Sequence, residues 1–146
     1  MKSLFNHDRA QLSHRLDGLT SDRKPQWGKM DCGQMLAHVS DAVRMALGEL
    51  FIKPRRSPLR LAPFRHAIIY WLPFPKGAPT APELIQRRAE DCRREIAELR
   101  ELLERFATRA GAEQWSAHPL FGQLSERDWG VLSYKHIDHH LRQFGV

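Results

Sequence analysis

The chain has 146 residues, 42% of them hydrophobic, and a formal net charge of +6. That length suits one domain with a single substantial core, and the composition shows neither low complexity nor a repeat. Acidic and basic residues are mixed along most of the sequence, so the positive balance permits attraction to anions without identifying a nucleic acid.

Residues 1–8 are polar and lack the apolar core of a signal peptide. The longest apolar run, residues 67–72, falls far short of the roughly 20 residues a membrane helix needs. Cys32 and Cys92 have neither CxxC nor zinc-finger spacing. The expectation is a soluble, cytoplasmic chain in a reducing compartment, with no membrane partner.

Leu12, Leu16 and Leu19 fall at i, i+4 and i+7, the spacing of one buried stripe, and predict a first helix over about residues 3–19. Gly18 and the polar stretch 20–25 end it. After Trp27-Gly28-Lys29-Met30 a second helix is predicted over about residues 31–50, with Asp31 as N-cap or first-turn carboxylate. Met35, Val39, Ala42 and Ala46 form its apolar face, widened by Leu36, Val43 and Leu47. His38 lies between Met35 and Ala42, near the buried side. Gln34 and Asp41, at i−4 and i+3, are close enough in sequence to orient its ring.

Residues 51–79 break the pattern. Seven of the nine prolines fall between Pro54 and Pro82, with Lys53, Arg55, Arg56, Arg60 and Arg65 among them. Prolines at this density forbid one long helix, although residues 59–72 can form a short one. The stretch is expected to be a crossover that folds onto the bundle or forms a subunit contact. Its basic residues read first as a solvated connector, and second as an anion or membrane-surface patch.

Thr80-Ala81-Pro82-Glu83 has the form of a capping box, with Thr80 as N-cap and Glu83 at N3. It predicts a third helix from there to about Arg109, striped by Leu84, Ala89, Cys92, Ile96, Leu99, Leu103 and Phe106. Gly111 stops that helix, and His118-Pro119-Leu120-Phe121-Gly122 marks a turn. Ser125, with Asp128 three residues on, caps a last helix through Trp129, Leu132, His136 and His140 to Phe144. No alternating strand pattern occurs. The expected class is all-α, a single domain over residues 1–146 with four principal helices and a long Pro-rich crossover between the second and third.

The last helix carries the chemistry. At about 100° per residue, His136 and His140 lie one turn apart on one face, where two neutral imidazoles can grip one divalent ion. The same spacing also fits a polar, partly exposed helix end. Catalytic zinc usually takes three protein ligands, and His38 is the best-placed third imidazole because it sits mid-helix beside apolar neighbours. Taken alone, His38 reads as a core histidine. His139 is displaced from the centre of the face and suits a packing or supporting role. His118 either approaches the metal or substrate or serves its turn. His7, His14 and His66 read as surface or connector residues. The order is not HExxH: Asp138 points away from both candidate ligands and cannot be a zincin-type base. Cys32 could in principle be a nucleophile or ligand, but no local motif supports that, and it reads as a small buried residue.

Three segments carry a resemblance to a known family. Trp27-Gly28-Lys29-Met30 through Gln34-Met35-Leu36-Ala37-His38 resembles the second helix of the DinB/YfiT-like superfamily, with its single metal-binding histidine. Lys135-His136-Ile137-Asp138-His139-His140 is similar to the HxxHH arrangement of that superfamily's last helix, whose first and last histidines bind metal. His118-Pro119-Leu120-Phe121-Gly122 and His140-Leu141-Arg142-Gln143-Phe144-Gly145 resemble one branch of it. The resemblance extends from about Arg15 to Val146.

It implies a four-helix bundle of up-down-down-up connectivity, a homodimer, and a divalent ion, zinc or nickel, on His38, His136 and His140. It also implies a metal-dependent enzyme whose open position activates water or a low-molecular-weight thiol, for hydrolysis of a small electrophile or transfer to it. No thiol-binding signature is visible in the chain. The alternative is a non-enzymatic binding or dimerisation module with a structural metal or none. Nucleic-acid binding through the arginines of residues 54–65 has the least support, because no finger or basic helix accompanies them.

Overall fold

Five α-helices and no strand make up the fold, in a computed structural model that describes residues 1–146. They are α1 (Asp8–Arg15), α2 (Cys32–Leu47), α3 (Ala62–His66), α4 (Cys92–Thr108) and α5 (Glu126–Gln143). The all-α expectation holds. None of these helices is long and apolar enough to cross a membrane.

The central helix is α2, packed on α4 and on α5, with α1 against α5. Nearly all of α2 is buried, including Met35, Leu36, Val39 and Val43. Each such large side chain contributes roughly 1.5–3 kcal/mol on leaving water. The ends of α2 are fixed as the sequence indicates at its start. The Asp31 carboxylate accepts from Gln34 N at 2.9 Å, and the Gln34 side chain accepts from Asp31 N at 3.1 Å. Gly48, at φ 81°, closes the other end in the left-handed region. The α5 start is the second expected cap: Ser125 Oγ accepts from Asp128 N, and Asp128 Oδ2 accepts from Ser125 N.

Two predicted boundaries are corrected. Helix α1 begins at Asp8, because the residues before it are tied to α5 instead. Leu4 N donates to Gly130 O at 3.1 Å. A Cβ on Gly130 would stand 2.4 Å from Ser3 Oγ and 2.5 Å from the Phe5 ring, so this glycine admits the N-terminal segment.

The second correction is larger. No capping box forms at Thr80, and α4 starts only at Cys92, with the Asp91 carboxylate accepting from Arg93 N and Arg94 N at 2.9 and 3.2 Å. Residues 80–91 are drawn onto α2. Pro82–Leu84 forms a single 3-10 turn that buries Leu84, and Ala89 N donates to Gly33 O at 3.1 Å.

Arg87 clamps this segment in place. Its guanidinium donates to Asp41 Oδ1 at 3.0 Å, to Glu95 Oε1 at 2.6 Å and to Glu95 Oε2 at 2.8 Å. Arg44 adds a contact of 2.8 Å to Asp41. Asp41 and Glu95 are both buried, and these arginines supply the opposite charge that such burial requires. Burial pushes the Glu95 carboxyl up, but Arg87, Ser40 and Arg44 together hold it below the usual carboxylate range. The glutamate bonds of Arg87 hold its own pKa above the usual value. The crossover thus runs from the end of α2 to Asp91 and is pinned at its far end by charge.

Candidate metal centre

His38 projects from the middle of α2, and His136 and His140 from successive turns of α5. Packing of α2 on α5 brings the three rings together. His38 Nε2 lies 2.9 Å from His136 Nε2, which lies 3.2 Å from His140 Nε2. The donor atoms of the three residues all lie within 4.8 Å of one another, in a group that can hold a metal ion.

Hydrogen bonds settle which ring nitrogens carry protons. His38 Nδ1 is 3.1 Å from Leu84 O, a carbonyl that can only accept, so Nδ1–H donates and Nε2 keeps its lone pair. Gln143 Nε2 donates to Trp27 O at 2.7 Å, which turns Gln143 Oε1 toward His140 Nδ1 at 2.8 Å. His140 Nδ1–H therefore donates as well, and its Nε2 is also a lone pair. His136 has at most one Nε2 proton to share between two acceptors, so the cluster cannot satisfy itself by hydrogen bonding alone. A cation placed among them would satisfy all three nitrogens.

The spacing agrees with that chemistry. Nitrogens held about 2.0–2.1 Å from one zinc stand roughly 2.9 Å apart at right-angled coordination and roughly 3.4 Å apart at tetrahedral coordination. The two short spacings fall within those limits.

Electrostatics keep the rings in the ligating form. Burial lowers the pKa of His38, against opposing contributions from the Leu84 carbonyl and Asp41. Burial, then the neighbouring rings of His38 and His140, holds His136 well below the ordinary imidazole value. Burial, with His38, pushes His140 down to about 3. All three are neutral at neutral pH, as a metal ligand must be.

The surrounding residues are only partly those expected. His139 stays outside the triad and packs its ring against Trp27 and Phe74, with centroids 5.7 and 5.9 Å away. Phe74, from the crossover, also lies 6.3 Å from the His136 ring and walls that side of the site. His118 serves its turn: Nδ1 accepts from Leu120 N and Phe121 N at 3.1 and 3.3 Å, and the ring packs on Phe121 and Trp129. It supplies no fourth ligand.

Gln34 and Asp41 do not orient His38. Gln34 is spent on the cap of α2, and Asp41 is held by Arg44 and Arg87, so the Leu84 carbonyl takes the orienting role. Asp138 pairs with Arg15 at 2.5 Å and Arg142 at 3.0 Å. Cys32 and Cys92 are free thiols. Burial pushes the Cys32 thiol up to about 12, helped by the adjacent Cys92, so no thiolate is available there.

Sequence reasoning missed Gln143, Leu84 and Gly28. Gln143 stands at i+3 from His140, so helical spacing alone could have raised it. Gly28 has φ 80°, and a Cβ there would lie 2.5 Å from Gln143 Nε2, so the Trp27–Gly28 turn is shaped to receive that amide. Nothing local marks a Leu84 carbonyl as the partner of a histidine 46 residues earlier.

An all-helical chain that turns three neutral imidazoles onto one point is a helical protein with a three-histidine cluster able to hold a metal ion. The model of the DinB superfamily matches residues 4–144, and the chain belongs to that superfamily. No curated protein and no solved structure matches it.

Proposed function

We propose that the protein is a metal-dependent enzyme that joins a small electrophile to water or to a low-molecular-weight thiol. The observation that carries this reading is the convergence of three imidazole lone pairs with no fourth protein ligand in the cluster. A structural zinc site is normally closed by four protein ligands, whereas a three-ligand site keeps a position for a reactant.

His38, His136 and His140 would hold the ion, zinc or nickel. When bound, it would supply Lewis acidity and lower the pKa of a coordinated water or thiol toward neutrality. Leu84 O and Gln143 hold two of the rings in the ligating tautomer, as outer partners of metal-bound histidines do. Phe74, Trp27 and His139 form an aromatic wall beside the triad that limits water and favours an apolar reactant. No carboxylate or thiol of the chain joins the cluster, so nucleophile and proton acceptor come from substrate and solvent. The free thiols of Cys32 and Cys92 suit a reducing cytoplasm.

The test is a turnover assay on zinc- or nickel-loaded protein. A panel of small thiols is offered with a chromogenic alkylating electrophile, alongside an activated ester for hydrolysis. Turnover should vanish on chelation, return with metal, and be absent from His38→Ala. A rate that survives both chelation and His38→Ala removes the proposal.

A further inference from the structure

The formal charge of the chain is not spread over it. Residues 51–82 contain six Lys and Arg and no Asp or Glu, so this one stretch carries the whole surplus of +6. The remaining 17 basic residues are balanced by the 17 acidic ones. The same stretch holds five of the seven large hydrophobic side chains that stand exposed. They are Phe51, Leu61, Phe64, Trp71 and Leu72, with Phe51 83% and Trp71 73% accessible.

Part of this surface is shaped. Arg55, Arg56 and Arg60 line a cleft of about 380 Å³ with Pro54 and Ser57, and no carboxylate lines it. Arg60 is steadied by the carbonyls of Arg55 and Pro119, at 3.3 and 3.4 Å. Arg55 N is fixed to Pro119 O at 3.0 Å, while its guanidinium touches only the half-exposed Glu83, at 3.4 Å. The Arg56 side chain is exposed and makes no hydrogen bond or ion pair. Three arginines on one open cleft suit a phosphate-bearing group, to which their planar guanidinium forks can donate charge-assisted hydrogen bonds.

A partner that engages the whole stretch must be anionic and must also accept exposed Leu, Phe and Trp side chains. A second copy of the chain fails the first condition. A two-fold contact centred on this stretch would set its six basic residues against another six, and the stretch itself carries no acid to offset them. Nucleic acid meets the first condition but offers nothing to Leu61 and Leu72. An anionic bilayer meets both: its phosphates pair with the arginines, and its headgroup boundary takes up aromatic and aliphatic side chains.

We infer that the crossover of residues 51–82 is a docking surface for an anionic phospholipid membrane, with the Arg55–Arg56–Arg60 cleft receiving a headgroup phosphate. This replaces the expectation that no membrane takes part, and it does not depend on the metal centre or its activity.

The test is co-sedimentation of the full chain with vesicles of phosphatidylcholine alone or with phosphatidylglycerol at about one third. Binding is expected only to the anionic vesicles and should weaken as salt rises. Each basic residue near such a surface is worth about 1 kcal/mol, so replacing Arg55, Arg56 and Arg60 by Gln should lower the partition coefficient on the order of a hundredfold. A separate Phe64→Ser/Trp71→Ser pair lies on exposed positions, so folding should be spared, and should also weaken binding severalfold. A fluorescence blue shift of Trp71 on vesicles is the direct sign of its insertion, read as the difference from the Trp71→Ser protein. No binding to anionic vesicles at low salt overturns the inference. So does binding that ignores Phe64→Ser/Trp71→Ser while matching the affinity for duplex DNA, which would mark a general polyanion patch. Concentration-dependent self-association lost in Trp71→Ser overturns it in favour of a subunit contact.

Discussion

Gln143→Leu probes the hydrogen-bond chain that sets the chemistry of His140. The wild-type amide spans from Trp27 O to His140 Nδ1 with bonds of 2.7 and 2.8 Å, inside a pocket where Gln143 and His140 are both buried. Leucine fills similar space but serves neither group. Trp27 O is then left without that donor, at a cost to folding of about 1–3 kcal/mol. His140 loses the acceptor that keeps its proton on Nδ1, so the lone pair at Nε2 is no longer enforced. Removing such an outer partner weakens metal binding about 10- to 100-fold, or roughly 1.4–2.7 kcal/mol. Two assays separate the effects. Thermal unfolding of the metal-free protein reads the folding term, and zinc competition against a chromophoric chelator reads the affinity term. Both should fall, and Gly28→Ala should reproduce the pattern because its Cβ would collide with the same amide. If Gln143→Leu loses stability but binds zinc as tightly as wild type, the orienting role assigned to Gln143 is wrong.

Other consequences are equally open to measurement. Arg87→Ala strands the buried carboxylates of Asp41 and Glu95, and because the guanidinium is itself partly in solvent the expected loss is about 2–3 kcal/mol, below the usual range for a buried pair. Urea unfolding at neutral pH checks this, and an unchanged midpoint would show that Arg44 suffices. Asp91→Ala should cost about 1 kcal/mol while Thr80→Ala is neutral, since the cap of α4 is at Asp91; the reverse order in thermal melts would restore the sequence reading. The metal-free protein should weaken in acid. His38, His136 and His140 have lowered pKa values when folded, so the unfolded chain binds more protons below about pH 6.5. Stability then falls by about 1.4 kcal/mol per pH unit for each histidine until its own folded value is reached, which for His140 is about 3. Unfolding midpoints that are flat between pH 6.5 and 5 would contradict that coupling.

Much of this molecule is written locally. Asp31 and Ser125 each sit three residues before a side chain that completes a capping box, and both helices start there. The triad was legible because two of its members lie at i, i+4 on one helix and the third beside an apolar stripe on another. What stayed hidden was decided by partners far away in the chain. Thr80 and Glu83 satisfy the same local rule as Ser125 and Asp128, yet only a single 3-10 turn follows and no α-helix. Arg87 gains two buried carboxylates, and Leu84 a buried position over His38, only if residues 80–91 lie along α2, and those contacts outweigh a cap. Gln34 and Asp41 fail as partners of His38 for a related reason. Helical spacing places them near it, but a cap and two arginines claim them first.

The central claim is that His38, His136 and His140 form one metal site. Elemental analysis of protein expressed without a polyhistidine tag, then dialysed and reloaded with zinc or nickel, tests it most directly. One ion per chain is expected in wild type, with His38→Ala and His136→Ala each retaining far less although still helical by circular dichroism. Wild-type protein that carries no ion and takes none up from either metal would contradict the account.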